Sequence, residues 1–379
     1  MTDPAQLPPH LRRIAQVFVD ESMADSPLAR RVRKRLAAST HAQVPWTVVP
    51  AGTDRVLFDQ GDAQALYLKD YKGKFLRFCP GTRAYHCCAY RIIHIGENCP
   101  MACSYCILQA YFQDRVLKIW ANQDDLFTQL ADAFGADRTT RFRVGTGEFT
   151  DSLALEHLTG YSRDLVSFLN DHENVVLELK SKVVDLSWMD AAKRTDRVLP
   201  AWSLNAPFIN EHEEFHVSTL TQRLKAARIC AQAGFRVCLH FDPIIHFPGW
   251  REGYARTIDM IFDYLTPSQI AYMSLGSFRC MPQLTPIIAD NFPQATYIYN
   301  EFVPGLDGKA RLLRPLRLEQ FAFMVNRLRG HGMNRQLYFC MESSEVWQQV
   351  LGYTPKDLGG LANHLMTRAF GAQRGKEPA

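Results

Sequence analysis

Three cysteines, Cys99, Cys103 and Cys106, fall within eight residues of the run Ile95-Gly-Glu-Asn-Cys-Pro-Met-Ala-Cys-Ser-Tyr-Cys-Ile-Leu-Gln109. Three thiolates at this spacing can hold three irons of a cubane cluster, which leaves the fourth iron open to a ligand the protein does not supply. An open metal position points to reaction rather than scaffolding. The rival is structural zinc, which needs a fourth ligand; His94, Cys87, Cys88 and His86 are the nearest candidates in sequence. Disulfides fit less well, because adjacent thiols such as Cys87 and Cys88 seldom bridge each other and nothing in the chain marks an oxidising compartment. The triplet reads as a cluster site.

Such a site has to be carried by a scaffold, and the pattern after residue 88 supplies one. Short apolar runs predict strands at 91–95, 141–144, 175–180, 198–204, 235–241 and 270–275, with helices between them near 123–134, 155–170, 183–193, 219–233 and 253–265. Alternating strand and helix implies parallel βαβ units. The expected fold is α/β, an incomplete (β/α)6 TIM-like barrel over residues 89–280. An N-terminal extension (1–88), a basic helix followed by short strand-like pieces at 46–50 and 65–68, precedes it, and a small C-terminal α/β segment (281–379), with a strand at 336–339, closes the site. In barrels of this kind the loops after the strands gather at one end. The cysteine loop follows the first strand, Gly145-Thr-Gly-Glu148 the second, Lys180 the third, Ser203 the fourth, and Asp242-Pro243 the fifth.

The chain of 379 residues is 47% apolar and 11% aromatic, enough for a large core. No apolar leader and no run of eighteen apolar residues is present, so a soluble, cytoplasmic protein with reduced thiols and no membrane partner is expected. A net charge of +4 leaves the partner open. Two basic runs, Arg30 to Arg35 and Lys309, Arg311, Arg314 and Arg317, have the charge to grip phosphates, although a solvated helix face is the commoner meaning of such runs.

With the cysteine spacing, the aromatic Tyr105 before the third cysteine and the strand context together, the chain resembles the radical S-adenosylmethionine enzymes. Cys99-Pro-Met-Ala-Cys-Ser-Tyr-Cys-Ile-Leu-Gln109, Thr150-Asp-Ser-Leu-Ala-Leu-Glu-His-Leu-Thr159, Arg223-Leu-Lys-Ala-Ala-Arg228, His240-Phe-Asp-Pro-Ile-Ile245 and Tyr338-Phe-Cys-Met-Glu-Ser-Ser-Glu-Val-Trp347 are similar to segments of the spore photoproduct lyase family, the last to its non-spore relatives. The resemblance implies a 4Fe-4S cluster, S-adenosyl-L-methionine, DNA bearing a thymine photoproduct, and an electron donor such as flavodoxin or ferredoxin. It also implies that Thr150, Lys180 and Ser203 contact S-adenosylmethionine. Gly145, Gly147 and Glu148 resemble a Gly-Gly-Glu motif, in which glycines permit close backbone approach and the acid receives the methionine ammonium.

Two positions depart from the family. Glu148 stands where the lyases have a hydrogen-donating cysteine, and Ile107 where they have a tyrosine. A carboxyl O–H bond is too strong for the donor's task, so a thiol elsewhere is expected to take it: Cys340 or Cys280, with Tyr338 less suited. Asp242, His240 and His246, at one strand end, are expected to contact substrate or fix a neighbouring group, although histidines at such places are more often structural. Arg279 has the charge to pair with a phosphate or carboxylate, a surface ion pair being its other meaning. Cys230 and Cys238 read as buried core thiols. The departures leave two other functions open, the same radical chemistry on another nucleoside, nucleic acid or peptide, and a zinc-stabilised nucleic-acid-binding protein without catalysis.

Overall fold

Val175–Ser181 has its first five residues buried, and Val198–Ser203 and Ile270–Ser277 are buried along their whole length. Strands covered on both faces belong to parallel sheets with helices over them. In this computed structural model, which describes residues 6–371 except 83 and 113, seven parallel strands lie side by side in chain order. They are Arg91–Ile93, Phe142–Gly145, Val175–Ser181, Val198–Ser203, Val237–Ile244, Ile270–Ser277 and Leu337–Phe339. Every crossover steps in the same direction, so right-handed connections put the helices on one face and the sheet curls round the other. Antiparallel Leu76–Phe78 pairs beyond Arg91–Ile93 and ends the sheet; it does not pair with Leu337–Phe339, so the barrel stays open. All six strands expected from the pattern are present, and the strand expected near 336–339 is the seventh.

Two helices differ from expectation. Instead of a helix at 183–193 there are bends and one 3-10 turn, Met189–Ala191. The Asp185 carboxylate accepts the backbone N–H of Ser187 at 2.9 Å and its hydroxyl at 2.6 Å, a local turn that competes with helix, and Trp188 is fully buried against Phe235. The helix expected over 155–170 is broken at Gly160, whose φ of 60° ends Glu156–Thr159 and starts Tyr161–Leu169. Glu156 then caps the second helix by accepting the amides of Ser162 (2.7 Å) and Arg163 (3.1 Å).

The N-terminal region builds a second sheet that includes both strand-like pieces expected near 46–50 and 65–68; its other strands were not expected. Trp46–Val49, Ile14–Asp20, Gln64–Lys69 and Leu117–Trp120 are parallel in that order, and Gly96–Glu97 pairs antiparallel at the end. Its last two strands come from either side of the cysteine loop, so that loop lies at the junction of the two sheets. Helix Pro27–Ala37 crosses between Ile14–Asp20 and Trp46–Val49; Ser26 caps it, Pro27 opens it, and Leu28, Ala29, Val32 and Leu36 form its buried face.

The basic residues of this helix are largely engaged within the protein. Arg31 donates to Asp164 at 2.6 Å and to the Thr159 carbonyl at 2.5 Å, and Arg35 to the carbonyls of Glu156 and His157 at 3.0 and 2.8 Å. Arg33 lies over the Trp46 ring. In the second basic run, Arg311 and Arg317 are buried beside Asp307 and Glu342. These pairings hold the fold together and withdraw the charges from solvent. Replacing Arg31 by Met is therefore expected to lower stability by about 1 kcal/mol, because its charge-assisted bonds are partly screened by solvent. Arg30→Met, on the exposed face, should stay within about 0.5 kcal/mol of the parent. Urea denaturation of the two variants checks this, and equal losses would contradict it.

Candidate active site

The cysteine loop is fastened on several sides. At its start Gly96 pairs with Ile119, and a β-carbon at Gly96 would run into the Lys118 carbonyl, so only glycine fits. Asn98, at φ 67°, uses its amide to hold the carbonyls of Asp114 and Val116, each at 2.9 Å. Arg13 donates to the Pro100 carbonyl at 2.6 Å. Ala102–Cys103 pairs with Glu214–Phe215, the Ser104 amide donates to the Glu213 carbonyl at 2.9 Å, and the Ser104 and Tyr297 hydroxyls lie 2.8 Å apart. Gln109 closes the far end by donating to the carbonyls of Cys103 (3.2 Å) and Ser104 (2.9 Å).

Cys99, Cys106 and Tyr105 line a cavity of about 250 Å³ at the carboxyl end of the parallel strands. Gly147, Glu148 and Thr150 reach it from the loop after Phe142–Gly145, Lys180 from the end of the next strand, and Ser203 and Asp242 from the two after that. The residues expected to share one rim thus do share it. Gly145 lies just below: a β-carbon there would meet the Tyr90 hydroxyl and the Glu178 carbonyl, while one at Gly147 would sit 3.0 Å from the Lys180 carbonyl. Both glycines let neighbouring strand ends close up beneath the cavity.

The cavity mixes charges of both signs. Burial raises the Glu148 carboxyl above the usual glutamate range, although Lys180 pulls it down. Lys180 makes no ion pair among the described residues, so its ammonium faces the cavity uncommitted. Opposite, Arg279 grips Asp242 through two contacts, 3.0 and 3.4 Å, and its guanidinium lies 3.4 Å from the Cys340 sulfur. Burial opposes charge on Asp242, but Arg279 and Lys180 outweigh it and hold the carboxyl at about 2. Burial and then Asp242 push the Cys340 thiol well up.

Under this rim His240 is a framework residue. Its Nδ1 lies 2.7 Å from the Ser274 hydroxyl and its Nε2 3.0 Å from Glu178, whose carboxylate also accepts from the Tyr272 phenol and sits 3.5 Å from Arg143. His246 packs against Trp250 and does not line the cavity. Cys280 is also absent from it: its thiol is buried beside the Thr285 hydroxyl, 3.7 Å away, on a short strand of a separate three-stranded sheet. Cys230 and Cys238 are buried as expected.

Several lining residues were not singled out from sequence. Asp151 is the most connected: its carboxylate accepts from the Ser181 hydroxyl (2.7 Å) and the amides of Leu153 and Lys182 (both 2.9 Å), tying the loop after one strand to the end of the next. Its place between two motif residues, Thr150 and Ser152, was the available signal. Tyr111 lines the cavity too, with no local pattern to mark it, while Cys79, a thiol just before the barrel, and Lys309, of the second basic run, join it from segments far apart in the chain.

The triplet suits a thiolate-held metal centre. Burial pushes all three thiols up, and Cys106 raises Cys99 and Cys103 further, so the three stand close enough to feel one another's charge. A cation among them would supply the charge that favours three thiolates. Among the described residues no three His, Cys, Asp or Glu side chains gather as a single-ion site. The histidines weighed as a fourth zinc ligand are engaged elsewhere: His86 hydrogen-bonds Ser344, and His94 is buried among the rings of Tyr71, Trp120 and Phe149.

Comparison with known proteins agrees with this geometry. A model of the spore photoproduct lyase family matches residues 82–302, more than half of the chain. A spore photoproduct lyase from Geobacillus sp. (strain Y412MC61) is 27% identical over 165 residues, 43% of this chain and 48% of the relative, so the match spans about half the length of that relative. Among solved structures, a spore photoproduct lyase mutant with bound AdoMet and dinucleoside spore photoproduct superposes with a TM-score of 0.70 at 16% identity, over 87% of this chain and 99% of that one. A spore photoproduct lyase complexed with dinucleoside spore photoproduct gives 0.71 at 16%, over 86% and 98%. At such identities the superpositions show a shared fold, the incomplete barrel.

The Asp242–Arg279 pair has a pH signature. The folded carboxyl titrates at about 2, below the ordinary aspartate value of 3.8. Its stabilisation is therefore complete above about pH 4 and disappears as pH falls through about 2. In the cluster-free protein, Asp242→Asn is expected to cost about 2 kcal/mol at pH 6. Urea titrations of parent and variant should converge towards pH 2, and a gap independent of pH would count against the pairing.

Proposed function

The chain belongs to the spore photoproduct lyase family, and we propose that it is a radical S-adenosylmethionine lyase that cleaves a thymine photoproduct in DNA. One observation carries the reading: a single cavity joins Cys99 and Cys106 to Glu148, Lys180 and Ser203 on one side and to the Asp242–Arg279 pair on the other. A 4Fe-4S cluster on Cys99, Cys103 and Cys106 would supply the electron that cleaves S-adenosylmethionine and yields a 5′-deoxyadenosyl radical.

The protein's own groups bind, orient and finish. Glu148 receives the methionine ammonium and Lys180 its carboxylate, two charge-assisted contacts that fix the zwitterion at both ends. Thr150 and Ser203 offer hydroxyls to the remaining polar atoms, Gly145 and Gly147 keep the backbone close, and the Tyr105 ring forms one wall. Asp242 and Arg279 face the substrate side. Cys340, held against Arg279, is the hydrogen-atom donor, because a thiol S–H is weak enough to give its hydrogen to a product radical where the Glu148 O–H is not. The thiyl radical left on Cys340 takes an electron from an external reducing protein and a proton to return to the thiol. Neither thiol lines the cavity itself, but Cys340 lies directly behind the lining Arg279, whereas Cys280 is buried beside Thr285 and is set aside from that role.

Ten free cysteines support a reducing, cytoplasmic setting and a small reducing protein such as flavodoxin or ferredoxin as electron donor. Among the described residues no helix is long and apolar enough to cross a membrane.

The test is anaerobic: reconstitute the cluster, add dithionite, S-adenosylmethionine and a dinucleoside spore photoproduct, and follow thymine product and 5′-deoxyadenosine. Both should form; a full cluster that never cleaves S-adenosylmethionine would overturn the reading. Cys340→Ser should still yield 5′-deoxyadenosine while thymine product falls by about tenfold or more, a loss of about 1.4 kcal/mol in barrier terms. Glu148→Gln should keep its iron and bind S-adenosylmethionine about tenfold more weakly by calorimetry, and unchanged affinity would remove Glu148 from the site.

A further inference from the structure

We propose that Lys182 tunes the reduction potential of the centre held by Cys99, Cys103 and Cys106, by placing a permanent positive charge against Tyr105 behind the cysteine loop. The proposal rests on the cluster reading above and adds a positioning role for a residue outside the cavity lining.

Lys180 and Lys182 lie two residues apart, yet they do different things. Lys180 reaches the cavity from the strand Val175–Ser181. The chain then turns, because Asp151 takes both the Ser181 hydroxyl and the Lys182 amide, and the Lys182 carbonyl accepts the Ser218 amide at 3.0 Å. This carries the Lys182 ammonium to 5.4 Å from the centroid of the Tyr105 ring, the residue before Cys106. No ion pair or side-chain hydrogen bond holds that ammonium among the described residues; the ring face is its recorded partner.

The charges around it are of both signs. Glu214 lies opposite Cys103 across the two-stranded ladder, and its carboxylate accepts from the Tyr105 phenol, from Asn210 at 3.1 Å and from Arg223 at 2.7 Å. Arg223 and Glu214 are both fully buried, so they cancel as a pair. Asp151 is held by Ser181 and two backbone amides. Among the described residues Lys182 is thus the cation on this side of the loop with no ion-pair partner, and its charge acts at a distance on Asp151, Glu214 and Cys103. Burial works against that charge, but Cys103 and Glu214 outweigh it and keep the ammonium above the ordinary lysine value.

Reduction adds one electron to a centre already surrounded by three thiolates, and net charge nearby is one of the levers that sets such a potential. A cation behind the loop favours the reduced form. Replacing Lys182 by Met keeps the chain length and removes the charge, and should lower the reduced-to-oxidised ratio at fixed potential by about tenfold, equal to about 59 mV for one electron.

The experiment is a dithionite titration of the full-length, anaerobically reconstituted protein, followed by EPR, with iron and sulfide counted in each sample. Lys182→Met should carry full iron and a lowered midpoint, and Lys182→Arg should return the ratio to within about twofold of the parent. A fully loaded Lys182→Met with the parent's midpoint would overturn the proposal. Should Lys182→Met lose iron, Lys182→Gln is titrated in its place. Loss of the cluster in both, with recovery in Lys182→Arg, would overturn it in favour of a purely structural role. If the parent itself assembles no cluster, the failure belongs to the cluster reading.

Discussion

The approach of Gly96 to the carbonyl of Lys118 is the constraint on which the site depends. It brings the start of the cysteine loop onto the second sheet immediately after the loop leaves the first. Any side chain at this position would separate the sheets or push the loop outward. Once the approach is made, Asn98, Arg13 and the pairing of Cys103 with Glu214 have fixed points from which to hold the remaining backbone. The three thiols are thereby presented by a rigid frame, as a site that must hold its ligands within fractions of an ångström requires.

The same frame decides the electrostatics. A cavity at the carboxyl ends of parallel strands collects side chains from successive loops, and here they alternate in sign: Glu148 with Lys180, Asp242 with Arg279. Buried carboxylates are costly unless a cation lies beside them. The paired Asp242 stays ionised, while Glu148 is pushed up and Lys180 has no ion-pair partner among the described residues. One side of the cavity is thus internally satisfied, and the other presents an acid and an ammonium ready for a zwitterion. Cys340 lies behind the satisfied side, its sulfur 3.4 Å from the Arg279 guanidinium.

The barrel was legible because its strands are short, apolar and regularly separated by helices, and the rim followed because such strands deliver their next residues to one end. The second sheet was only half legible: the pieces near 46–50 and 65–68 stood out, the other strands did not. Ile14–Asp20 is broken by Gln16 and lies among charged residues, and Leu117–Trp120 is only four residues long, so neither stands out without its partner. The residues at 183–193 have apolar content suited to a helix, yet one Asp185 turn and the burial of Trp188 prevail. Among candidate thiols, position after a strand did not separate Cys340 from Cys280; only packing against Arg279 or Thr285 does. The basic helix shows the same limit, since its charges look free in sequence and are engaged by carbonyls more than a hundred residues away.

The central claim is that Cys99, Cys103 and Cys106 hold a four-iron cluster whose remaining iron is reserved for S-adenosylmethionine. Mössbauer spectroscopy of the anaerobically reconstituted protein, with and without S-adenosylmethionine, tests it most directly. The account predicts a four-iron cluster in which the added ligand alters one iron and leaves the other three unchanged. A spectrum indifferent to S-adenosylmethionine, or a colourless protein carrying stoichiometric zinc, would contradict it.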